Sequence, residues 1–91
     1  MYKTYFAALE AAVVCSTLSC FGSRAVNVHG AVATGSAMGA LAARLQDTMG
    51  DIVVYATSSG RMTHPEAIIR PTAEGFVVIH DEASLRPHRF A

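Results

Sequence analysis

Four histidines and one pair of adjacent carboxylates are the residues of this chain best suited to chemistry. His29, His64, His80 and His88 could each serve as an acid, a base or a metal ligand, and His80 runs directly into Asp81 and Glu82. Imidazole and carboxylate together suit zinc or iron. The spacing argues against a local centre. No two histidines stand three or four residues apart, so no helical turn would present them as a pair, and any site must be assembled by folding. Solvated histidines at strand ends are the plainer reading. Were folding to build a polar site, His80 with His64 or Asp81 would head it, because strand ends present side chains to loops. We assign no catalytic residue, no metal ligand and no cofactor from the sequence.

The nucleophiles are no more suggestive. Cys15 and Cys20 lie in an apolar stretch that reads as a helix, where five residues separate Cα atoms by roughly 8 to 9 Å. A disulfide reaches about 7 Å. Two buried free thiols are therefore expected, raised in pKa by apolar surroundings and inert. The segment from Gly30 to Ser36 invites comparison with a phosphate-cradling loop, since it precedes a helix and carries Gly30 and Gly35. It lacks the lysine that such a loop needs, and its glycines do not match a dinucleotide fingerprint.

The elements that would position these groups follow from periodicity. Thr4 as N-cap and Gly22 as a stop predict a helix over about 4–21, with Lys3, Glu10 and Thr17 on one stripe and Phe6, Leu9, Val13 and Cys20 on another. A second helix is expected over about 36–49. Its apolar side would carry Met38, Leu41, Leu45 and Met49, with Ala42 beside them. Alternation predicts a short strand over 25–29, and the residues from Gly30 to Gly35 read as a small-residue connection. Strands follow over about 52–58, 67–70 and 75–80, the last two joined by a turn through Pro71, Thr72, Ala73 and Glu74. Residues 83–91 are expected to form a loose tail after a short turn or helical piece. The whole is one small α+β domain of two helices on an antiparallel sheet.

Composition bears on function. Of 91 residues only 15% are charged, 52% are hydrophobic, and seven basic residues balance seven acidic ones. A chain this short has a high ratio of surface to core, so an apolar excess calls for something to cover it. The small-residue stripe Gly35, Gly39 and Ala43 would let a helix approach closely, either from the same chain or from a second copy, with Met38 and Leu45 adjoining. The favoured expectation is a non-enzymatic, cytoplasmic domain that binds protein, first of all itself, through its apolar helices.

Two other readings compete. Residues 5–22 have the outline of a signal or membrane-contacting helix, and Thr17-Leu18-Ser19-Cys20 loosely resembles the lipobox of bacterial lipoproteins, which would place the protein in the envelope. Glu10 interrupts the apolar run, and Thr17 stands where an aliphatic residue is normal. A nucleic-acid-binding regulator would require Arg44, Arg61 and Arg70 to gather on one face. The scattered, balanced charges speak against that partner.

Overall fold

The computed structural model describes residues 1–13, 25–28, 31–34, 37–58 and 61–89, and its architecture is α+β. In chain order the elements are α1 (Tyr5–Ala12), β1 (Ala25–Val28), β2 (Ala31–Thr34), α2 (Ala37–Leu45), β3 (Ile52–Ser58), β4 (Arg61–Thr72), β5 (Gly75–Ile79), α3 (Glu82–Leu85) and a 3-10 turn (Arg86–His88). The five strands form one antiparallel sheet in the order β2-β1-β3-β4-β5. Both longer helices lie on one face of it.

The register creates that face. Ile52 stands opposite Ile69, and Ile69 opposite Val78; Val54 stands opposite Ala67, and Val26 opposite Ala33. Side chains that are direct cross-strand partners share a face, so these rows point together toward the helices. There they meet Tyr5, Ala8, Leu9 and Ala12 of α1 and Met38, Leu41, Ala42 and Leu45 of α2 in one apolar cluster. The next row, Val53, Ile68 and Ile79, faces the other way.

Several elements differ from expectation. Helix α1 begins as predicted, with Thr4 Oγ1 accepting from the Ala7 N–H at 3.1 Å, but it ends at Ala12 because Val13 is extended. Val13 is β-branched and is followed by Val14, a pair with little helix preference. Tyr5 is fully buried in place of Phe6, which is 40% exposed. The remainder of the expected first helix, with both cysteines, falls outside the described residues. Helix α2 stops at Leu45, where Gln46 and Thr48 donate to Ala43 and Leu45 and turn the chain toward β3. Met49 is consequently 92% exposed, not part of the apolar side.

The sheet is larger than predicted. Residues 31–34, read as a connection, form β2, paired with β1 from Val28 opposite Ala31 to Ala25 opposite Thr34. Strand β4 runs twelve residues and contains Pro71, read as part of the turn, and Pro65, which precedes the expected strand. Pro65 sits opposite Tyr55, where the β3–β4 register shifts, and Pro71 lies beyond Ile69, the last partner of β3. Neither position requires a ladder N–H. The turn is thus only Ala73 and Glu74, closed by Thr72 Oγ1, which accepts from the N–H groups of Glu74 (3.3 Å) and Gly75 (3.2 Å).

The expected short helical piece is present, and through Arg89 the segment is held to the body where a loose tail was expected over 83–91, residues 90–91 lying outside the described residues. Asp81 caps α3 by accepting from the Ser84 N–H and hydroxyl, both at 3.0 Å, and Leu85 is buried. The Tyr55 hydroxyl donates to the His88 carbonyl at 3.1 Å, and Arg89 pairs with Glu82. Helix α3 packs on β4, covering the Ile68 side of the sheet.

At the other end of the chain, Tyr2 bridges the outer edge of β5 by two hydrogen bonds with Phe76, of 2.8 and 2.7 Å. Gly75 makes room for it. Its φ is +155°, and a Cβ there would lie 2.5 Å from the Tyr2 carbonyl oxygen. Gly75→Ala should therefore cost about 1–3 kcal/mol in denaturant unfolding and release the Tyr2 bridge. Unchanged stability with a protected Tyr2 amide in hydrogen exchange would contradict this account of the edge.

Candidate functional site

The polar residues singled out by type serve local structure. His80 is exposed, with Nδ1 3.1 Å from the Glu66 carbonyl oxygen, and Asp81 is the cap of α3. They are neighbours in sequence but share no contact that would poise either for catalysis. The side chain of His64 lies outside the described residues. Among the described residues no group of three His, Cys, Asp or Glu could hold a metal ion.

The strongest electrostatic feature is elsewhere. Arg70 grips Asp51 with Nε at 3.0 and 3.2 Å from the two carboxylate oxygens and Nη2 at 2.9 Å, on the surface where β3 begins. The Arg70 hydrogen bonds hold the Asp51 carboxyl below its usual range, assisted by the charges of Arg70 and His88. Both side chains are about half exposed, at 52% and 43%, so the pair is screened and structural.

Among the described residues Tyr5 alone has a buried side-chain polar atom without a partner. Its ring packs on Phe76 with centroids 4.2 Å apart, and its hydroxyl is buried without a hydrogen-bond partner among the described residues. Burial raises its pKa, and the Asp51 charge raises it further.

The predicted interaction residues separate into four groups. Met38 and Leu45 belong to the chain's own core and offer no surface. Gly39 is half-buried beneath α1, where a Cβ would meet the Phe6 ring at 4.0 Å; this side of α2 packs within the chain. Ala43 is exposed, and Gly35 lies outside the described residues. Sequence reasoning missed two further members of the surface, Ala37 and Ala40, both exposed on α2. The signal was available: with Met38, Leu41, Ala42 and Leu45 inward, the outer turn of α2 is left with alanines and Arg44.

The outer surface of the helix layer is therefore a shallow apolar patch of Phe6, Ala37, Ala40 and Ala43. Arg44 lies on this layer, whereas Arg70 projects from the opposite side of the sheet beside Val77; the side chain of Arg61 is outside the described residues. Among the described residues no helix is long and apolar enough to cross a membrane. No family model, curated protein or solved structure matches the chain.

Two measurements check this account. Asp51 has a depressed folded pKa, so its contribution is present above the unfolded value of about 3.9 and is lost as pH falls through the folded one. Asp51→Asn should lower Tm by a few degrees at neutral pH and leave it unchanged near about pH 2; an equal loss at both would assign the effect to packing. Tyr5→Phe keeps the ring and removes the unpaired hydroxyl, so stability should rise by about 1 kcal/mol. A loss of that size would mean that the hydroxyl has a partner.

Proposed function

We propose that the chain is a non-enzymatic interaction domain that associates first with itself. The observation that supports this reading is the helix layer's outer surface, where Ala37, Ala40 and Ala43 are exposed beside a 40% exposed Phe6, in a protein with only 15% charged residues. Small side chains on a helix let a second backbone approach closely, and apolar surface buried in that approach contributes about 25 cal/mol per Å². Among the described residues His80, Asp81, Asp51 and Arg70 already hold a carbonyl, a helix cap and each other. Binding thus uses what the surface has in surplus.

Sedimentation of the full chain between about 1 and 100 µM should show a reversible monomer–dimer equilibrium, which Ala40→Glu weakens by about tenfold or more. A strictly monomeric chain across that range would overturn the reading.

A further inference from the structure

Strand β2 is at one end of the sheet, and the antiparallel pattern determines what it presents there. Only two residues separate Val28 from Ala31, so that flanking pair exchanges both ladder hydrogen bonds, as does Val26 with Ala33 two residues on. Val32 and Thr34 consequently turn their N–H and C=O groups away from β1. Among the described residues no strand or backbone group pairs with that side.

Edges of this kind are usually blunted by charge, proline or a covering segment. The opposite edge has such a cover: Tyr2 bridges Phe76, and Asp81 and Glu82 follow the strand. Strand β2 reads Ala-Val-Ala-Thr, with no charge and no proline. An antiparallel edge is also its own complement, because a two-fold axis beside it places the same donors and acceptors face to face.

The helix layer permits the same approach. Helix α2 packs over β2, and its Gly39 and Gln46 side faces α1, where Phe6 and the Tyr5 N–H (3.4 Å from Gln46 Oε1) meet it. One residue row on the flank away from α1 is Ala37, Ala40 and Arg44, all exposed. That flank lies above the outer edge of β2. A two-fold axis perpendicular to the sheet beside β2 would bring the flank against its mate, with Ala40 near the axis and Arg44 toward either end.

We propose that a second copy of this chain pairs its β2 antiparallel to β2, joining two five-stranded sheets into one of ten strands with the two α2 helices side by side above the seam. The proposal rests on self-association and specifies where it occurs. Because the far edge is bridged by Tyr2, the assembly closes at two copies instead of growing into a fibre.

Val32→Pro tests it, since the substitution removes an outward N–H and no β1–β2 ladder bond, as the native Pro71 does opposite Phe76. The proposal expects the wild type to dimerise, Val32→Pro to weaken dimerisation by about a hundredfold with its circular dichroism retained, and Ala43→Glu, which lies off the seam, to dimerise as wild type does. Should Val32→Pro dimerise like wild type while Ala43→Glu is monomeric, association occurs through the top of the helix layer: the seam is overturned and self-association stands. A monomeric wild type overturns both. Hydrogen exchange keeps the test independent of the variant's folding. Val32 and Thr34 amides protected at high concentration and exposed on dilution support the seam, and equally fast exchange at every concentration overturns it.

Discussion

The sheet has two apolar faces and not enough chain to cover both in the same way. Its register places Ile52, Ile69 and Val78 on one side and Val53, Ile68 and Ile79 on the other, so either facing presents apolar rows, although Arg70 shares the second side with Val77. An antiparallel sheet more commonly alternates apolar and polar residues, with one face solvated. Here the first face takes both longer helices. Among the described residues the second is met by a four-residue helix packed on β4 and a 3-10 turn, whose one buried apolar side chain is Leu85, while Val53, Val77 and Ile79 stay half-buried. The C-terminal segment cannot be loose in such a molecule, because detaching it would return Ile68 to water.

The same shortage explains the small residues in the helices. With eight and nine residues each, α1 and α2 must lie close to the sheet and to each other to close the core. Ala8, Ala12 and Ala42 permit the approach to the strands, and the Phe6 ring lies near Gly39 of α2. Tyr5 fastens the arrangement at its open end, since its ring on Phe76 ties α1 to β5 while its backbone N–H reaches Gln46 beyond α2. Such close packing favours short side chains on the outer turns as well, so the apolar exterior is partly a consequence of how the interior was closed.

Those pressures also determine what was legible from residues alone. Strand β3 was, because Ile52, Val53 and Val54 are β-branched, and so was the β4–β5 hairpin, marked by Gly75 and the run Phe76–Ile79. Strand β2 was not: Ala31 and Ala33 carry little strand preference, and their state comes from pairing with β1. The prolines misled for a related reason. Pro65 and Pro71 break strands only where a ladder N–H is needed, which depends on neighbours that sequence does not display. In α1 the phase of the buried side was lost because Tyr5, Phe6, Ala7, Ala8 and Leu9 are all apolar, leaving no polar contrast to orient the wheel. The candidate surface was half visible: the small-residue stripe was found, but its Gly39 row faces α1, and the exposed row one flank over was passed by.

Where polar groups are few, their placement says more than their number. Thr4 and Asp81 cap helices, Thr72 closes a turn, and Asp51 and Arg70 hold each other where β3 begins. The first three of these tasks concern a turn or a helix terminus, the places where backbone groups would otherwise lack partners, and the fourth ties two strands by their side chains. Polar chemistry directed at a substrate would instead need side chains converging on a shared point, with their hydrogen-bonding capacity left over. The surface at the outer turn of α2 and beside it is largely alanine, with Phe6, Arg44 and the backbone of an uncharged edge strand. Recognition built from those materials depends on shape and main-chain geometry, and the shape most reliably matched to such a surface is another copy of itself.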